Sequence, residues 1–253
     1  MERYPQVVLE VVQWNPDLIV GGPNSLMHAF LKVTRTIPIV GSMIDPVRDG
    51  LAASLARPGG NITGYTNDAG IELMGKYLEM LKEVVPSASK FAYLGPAFRW
   101  EAERTTLLEA ARQLGVSLVG IPVDSPFKEP EFRRAFAAIA QERVDALMVG
   151  YAGQFRPSSR LIVELAGQNR LPAIYTNSDY MDAGGLLAYV PETEPLLAHM
   201  AHQADQIFKG ANAGDIPIQQ ATKYRLVINL KTALGLGLTI PQSLLVRADK
   251  VIE

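Results

Sequence analysis

The chain has 253 residues, 48% hydrophobic and 20% charged, which excludes a disordered chain and allows one large α/β domain or two smaller lobes. The formal net charge of −2 argues against a nucleic-acid groove. There is no cysteine, so disulfides and thiolate chemistry are excluded, and no run of about 20 apolar residues marks a membrane span.

In chain order, PDLIVGG (16–22) reads as a buried parallel strand, its apolar residues continuous rather than alternating. NSLMHAFLKVT (24–34) predicts a helix capped by Asn24 or Ser25. IPIVGS (37–42) is the next strand, and PVRDGLAASLA (46–56) predicts a helix opened by proline. In SLARPGGNITGYT (54–66), Pro58 stops that helix, Gly59 and Gly60 turn the chain, and NITGYT enters a third strand.

Residues 71–85 place Ile71, Met74, Leu78, Leu81 and Val85 on one helical face, ended by Pro86. Strands at KFAYLGP (90–96), VSLVGIPV (116–123), VDALMVGYA (144–152), LPAIYTN (171–177) and GLLAYVPE (185–192) then alternate with helices over 101–114, 130–142 and 157–169. A helix over 195–209, a late strand at TKYRLVINL (222–230), a short helix (231–235) and an irregular tail close the chain. The strand–helix alternation with short connections predicts an α/β fold of two Rossmann-like lobes with mainly parallel sheets. Residues 1–66 form the first part of lobe 1 and 67–191 form lobe 2. Residues 192–253 return to lobe 1 and supply the tail.

Catalytic and metal signatures are missing. His28, His199 and His202 are the only histidines, and no HExxH pattern accompanies them. Neither GxGxxG nor GxxxxGK[ST] occurs, and no GxSxG elbow surrounds a serine. No metal, no cofactor and no catalytic residue is therefore expected.

In parallel α/β sheets, ligands bind beyond the carboxyl ends of the strands. Those ends supply Asn24 and Ser25, Ser42 and Asp45, and Thr66 and Asn67 in the first series. In the second they supply Phe98 and Arg99, Tyr151 and Gln154, and Thr176, Asn177, Ser178 and Asp179. Hydroxyls and helix N-terminal amides suit a ligand carboxylate. Asp45 or Asp179 suits an ammonium, and Phe98 and Tyr151 suit an apolar side chain. The inventory matches an amino acid; nucleosides or short amides use many of the same groups.

DPVRDGLAASLARPGGNITG (45–64) resembles the substrate-binding proteins of ABC transporters of the tryptophan/tyrosine type. So do LEMLKEVVPSASKFAYL (78–94), LPAIYTNSDYMDAGGLLAY (171–189) and TKYRLVINLKTALGLGLTIPQSLLVRADKVIE (222–253). The resemblance implies a two-lobed receptor of the type I periplasmic-binding-protein kind, closing around an amino acid or related small solute. It also implies a membrane permease as partner, driven by an ATPase. It places ligand contacts on Asn24 and Ser25, near Asp45, around Phe98, and from Thr176 to Asp179. ARPGGNITG becomes the turn into the last strand before the first interlobe crossing.

The same resemblance implies a secretion signal and a strand, helix and second strand ahead of DLIVGG, so the first lobe is expected to be truncated. Full-length members are expected in the periplasm; the chain as written, opening MERYPQ without an apolar leader, is expected to stay in the cytoplasm. An exposed strand edge predicts a homodimer through lobe 1, unless ERYPQVVLEVVQW (2–14) folds over that edge as a helix. The alternative functions are a small-molecule sensor of the same fold and a nonfunctional truncated receptor.

Overall fold

The computed structural model describes residues 4–66 and 72–253, so Asn67 and Ile71 lie outside the described residues. The chain forms two units, Met1–Gly70 with Pro191–Lys223, and Ile71–Val190 with Tyr224–Glu253. The first stretch of unit 1 carries α1 (Tyr4–Gln13), β1 (Ile19–Gly21), α2 (Asn24–Val33), β2 (Ile39–Met43) and β3 (Ile62–Thr66). Unit 2 follows with α3 (Glu72–Val84), β4 (Lys90–Pro96), α4 (Ala97–Gln113), β5 (Ser117–Val123), α5 (Glu129–Glu142) and β6 (Ala146–Val149). It continues through α6 (Ser159–Gln168), β7 (Ala173–Tyr175), α7 (Asp179–Asp182) and β8 (Leu187–Pro191). The chain returns to unit 1 as α8 (Thr193–Phe208) and β9 (Gln219–Gln220). It ends in unit 2 as β10 (Tyr224–Asn229), α9 (Leu230–Gly235), α10 (Gln242–Arg247) and β11 (Lys250–Ile252).

In unit 1 the strands lie in the order β1-β2-β3-β9, all parallel. One apolar cluster joins Val8 of α1, Met27 and Phe30 of α2, and Ile19, Ile39 and Ile62 of the strands. The helix anticipated at residues 2–14 does form, over Tyr4–Gln13, and it packs on α2 through Val8. It leaves Val20 of β1 64% exposed, and β1 pairs with β2 alone among the described strands.

Gly64 carries β3 past β2 at close range. Its φ is +138°, and a Cβ there would fall 2.0 Å from the Gly41 carbonyl oxygen, so only glycine fits. Gln203 of α8 is buried and donates from Nε2 to the carbonyls of Gly64 and Pro217, each at 2.9 Å. Thr63 Oγ1 donates to the Ile216 carbonyl at 2.8 Å. The Pro58-Gly59-Gly60 turn serves the same junction: Gly59 N–H donates to the Gly214 carbonyl at 2.9 Å, and a Cβ on Gly214 would lie 2.5 Å from the Gly60 oxygen. The glycines let the returning chain lie directly on the turn.

The helix predicted over 46–56 is absent. Asp45 has φ +42° and Gly50 φ +72°. Between them the bonds Asp49 N–H to Asp45 C=O, and Leu51 and Ala52 N–H to Pro46 C=O, close one turn. Gly50 then breaks the spiral, and Ser54 ties itself to Arg57 through two local bonds. Pro46 opens a turn and not a helix, because Gly50 leaves too few residues for a helix to propagate.

Unit 2 holds a seven-stranded sheet in the order β11-β10-β8-β7-β6-β4-β5. Both faces are apolar, as a mostly parallel sheet with covering helices requires. Along β4, Ala92 and Leu94 join Phe132, Phe136 and Ile139 of α5 on one face; Phe91 and Tyr93 join Leu78 and Leu81 of α3 on the other. Strands β2 and β6 lie in separate sheets.

One boundary is corrected. Residues 224–253, assigned by chain order to lobe 1, belong to unit 2. β10 docks beside β8, with Asn229 N–H donating to the Leu186 carbonyl, and buries Leu226 and Ile228 with Ala233, Ile240 and Leu244. Nor is the tail irregular: α10 and β11 complete the sheet edge. Continuous apolar burial on both sides of β10, not sequence adjacency, decides which unit the strand joins.

Candidate functional site

In unit 1 the carboxyl ends of β1 and β2 are stapled together. Asn24 Nδ2 donates to the Ile44 carbonyl at 2.6 Å, and Ile44 N–H donates to Asn24 Oδ1 at 2.9 Å. The same Nδ2 reaches Asp49 Oδ2 at 2.8 Å, which His28 Nε2 also meets at 2.9 Å. Asn24 therefore sits in the first turn of α2 without capping it; the N-cap position is Pro23, with no side-chain bond. Asp45 accepts the Arg48 N–H at 3.2 Å, closing its own turn. Ser25 and Ser42 are half-buried. Gly22 keeps the two strand ends close, since a Cβ there would lie 2.8 Å from the Ser42 oxygen. Thr66 is buried, opposite Gln220 of β9.

In unit 2 the ends of β4, β6 and β7 carry the remaining predicted residues. Phe98 stands on the first turn of α4, 57% exposed. Arg99 turns the other way and pairs with Glu103 one turn along the helix. Glu103 is buried and accepts the Tyr93 hydroxyl at 2.7 Å. Burial first, then the Glu103 carboxylate, pushes the Tyr93 phenol well above its ordinary range, so it stays a neutral donor. The ring needs space at the strand ends: a Cβ on Gly95 or Gly150 would lie 2.5 or 2.3 Å from Tyr93 atoms. Trp100 lies beside it, centroids 5.6 Å apart, over Gly120. Sequence reading missed this Tyr93–Glu103–Arg99 network; its visible traces were an Arg–Glu pair at helical spacing and glycines at neighbouring strand exits.

At the next two exits, Thr176 is buried and donates to the Val149 carbonyl at 3.2 Å, tying β7 to β6. Asn177 Oδ1 accepts the Asp179 N–H at 3.2 Å. Asp179 faces Arg156, whose Nε donates to Oδ2 at 2.6 Å and Nη2 to Oδ1 at 3.3 Å. This pairing raises the Arg156 pKa, and Tyr151 lies near enough to add to it. The structure thus pairs Asp179 with Arg156, a residue that sequence reading did not single out. Thr176 and Asn177 lie beside them as backbone ties. Phe98 belongs to a different strand exit.

Among the described residues, no three metal-ligating side chains cluster, and no helix is long and apolar enough to cross a membrane. His199 and His202 are both exposed on α8.

The sequence profile of the ABC transporter substrate binding protein family matches residues 2–252. A tyrosine-binding protein of Clostridioides difficile (strain R20291) is 26% identical over 243 residues, covering 94% of this chain and 68% of that protein. A crystal structure of a conserved domain protein from Vibrio cholerae superposes with a TM-score of 0.88 at 25% identity, covering 98% of this chain and 82% of that one. A Streptococcus pneumonia ABC domain in complex with L-Trp also gives 0.88, at 22% identity, covering 99% and 86%. The second likeness supports the α/β fold alone. The matched family is one of substrate-binding proteins, not of enzymes. Matched along almost its whole length, the chain belongs to the ABC transporter substrate-binding protein family.

Proposed function

We propose that this protein is the capture component of an ABC importer and takes an amino acid, with an aromatic side chain the first candidate. The observation that carries the reading is the family match from residue 2 to residue 252, set beside polar and aromatic groups gathered at the strand exits. The ligand class rests on the tyrosine-binding relative and on the Arg156–Asp179 pair at the strand exits of unit 2. Phe98 and Tyr151 supply aromatic surface for a side chain, and Ser25, Ser42 and Asn177 supply small polar groups. Capture uses strand exits of both units and proceeds by closure about the crossings between them.

Isothermal titration against L-tyrosine, L-tryptophan and the other standard amino acids tests this. Saturable one-to-one binding without turnover is expected; no binding to any of them overturns the ligand class. Small-angle scattering should show a smaller radius of gyration on saturation, and an unchanged radius removes closure. Two partners go with the reading. One is a membrane permease, tested by ligand-dependent ATPase activity of the reconstituted transporter. The other is a second copy at the β1 edge, where Val20 stands exposed beside strand backbone paired on one side. A concentration-independent 27.6 kDa species in sedimentation equilibrium removes that dimer.

A further inference from the structure

We propose that Arg156 and Asp179 form a clamp for the head group of a zwitterionic ligand: they pair with each other when it is absent and part to take its carboxylate and its ammonium. The inference rests on the amino-acid reading above and assigns Arg156 a role in it.

Three observations converge. First, the pair stands where unit 2 would hold a ligand, on the segments that leave β6 and β7 at their carboxyl ends. Second, the mounts are fixed while the charges are open. Phe155, next to Arg156, is fully buried against Phe127 and Phe132. Asp179 is pinned by its N–H bond to Asn177 Oδ1, and the β7 exit is pinned to β6 through Thr176. Yet the Arg156 side chain is 60% exposed, against 27% for Asp179.

Third, the contact is a fork grip of the kind a carboxylate ligand would receive. Nε and Nη2 address the two carboxylate oxygens separately, at 2.6 and 3.3 Å. A pair this open to water is held weakly, so a ligand displaces it readily. An amino acid is suited to do so. It carries its own ammonium and carboxylate a few bonds apart, and inserting between the partners gives Asp179 a cation and Arg156 an anion. No charge is left uncompensated, whereas a ligand with one charge would leave one partner without a counter-ion. Asp45 is engaged differently: its carboxylate accepts the Arg48 N–H and closes its own turn.

Titration calorimetry with three probes tests the assignment: L-tyrosine, tyramine, which lacks the carboxylate, and 3-(4-hydroxyphenyl)propionate, which lacks the ammonium. The wild type should bind L-tyrosine most tightly. Arg156→Gln should weaken L-tyrosine and the propionate about ten- to hundredfold and leave tyramine within about twofold. Asp179→Asn should show the reverse selectivity, weakening L-tyrosine and tyramine but not the propionate. The unaffected probe in each case reports that the variant is folded. Equal losses across all three probes would mark the pair as purely structural and overturn the clamp. So would unchanged affinity for L-tyrosine in both variants, with the amino-acid reading still standing. A wild type that binds none of the standard amino acids overturns that reading, and the clamp with it.

Discussion

The two units solve the same problem with different materials. Unit 2 seals a seven-stranded sheet between two apolar layers, so that successive residues of β4 and β6 enter opposite layers. Unit 1 has four strands and one smaller apolar cluster. Among the described residues it also holds five of the eight buried polar side chains, Thr34, Asn61, Thr63, Thr66 and Gln203, against Glu103, Thr176 and Asn229 in unit 2. The smaller unit is therefore tied by directed hydrogen bonds and glycine contacts, the larger by area. Apolar burial tolerates small shifts at modest cost, while a buried polar atom that loses its partner loses its full hydration as well.

The sharpest way to break the comparison is Gly64→Ala. The new methyl would overlap the Gly41 carbonyl at 2.0 Å, on a backbone with φ +138°. A loss on the order of 4–5 kcal/mol is expected, read as a lowered urea midpoint; near-native stability would show that the β2–β3 spacing relaxes. In unit 2, Phe132→Ala removes a fully buried ring that packs edge-on to Phe155. About 3–4 kcal/mol should be lost, visible in the fluorescence of Trp100, the tryptophan of that unit. Loss of unit 1 structure alone would contradict the division into two cores.

A third variant isolates one tie. Gln203→Leu keeps the volume of α8 but strips the donor from the Gly64 and Pro217 carbonyls, at a cost of about 2 kcal/mol. A neutral result, measured by thermal melting, would mean that packing and not hydrogen bonding holds α8 on β3.

The smallest effect is pH-dependent. Asp145 Oδ2 accepts N–H bonds from Ser89 at 2.7 Å and Lys90 at 2.9 Å, which hold its carboxyl below the ordinary value. A depressed native pKa stabilises the fold above the unfolded value, about pH 4, and that contribution fades as pH falls through the native value. Asp145→Asn should therefore lower the urea midpoint slightly at neutral pH, and the difference should shrink as pH falls below about 4. The same shift at neutral and acid pH would show that the charge is irrelevant.

Much of this architecture was readable from residue order. The periodicity of Phe132, Phe136 and Ile139 placed α5, and the unbroken apolar run of VDALMVGYA placed β6, because each pattern reports burial directly. Residues 46–56 misled because their apolar spacing is helical while Gly50 and Asp45 take left-handed conformations that composition does not display. The site was harder. Asn24, Thr176 and Asp45 have the polar character a ligand would need, but the structure engages them with Ile44, Val149 and Arg48. A sequence displays a hydrogen-bonding type and not its partner. Arg156 escaped notice for the same reason: its meaning comes from Asp179, 23 residues onward.

The interleaving of the two units also sets an order for their completion during synthesis. β9, which closes the sheet of unit 1, leaves the ribosome before β10 and β11, which close that of unit 2. Synthesis at about 5–20 residues per second adds Tyr224–Glu253, which belongs to unit 2, after the last segment of unit 1. Until β10 docks, the larger sheet has an open flank at β8. An unpaired strand edge of this kind is prone to association, and the docking of β10 removes it.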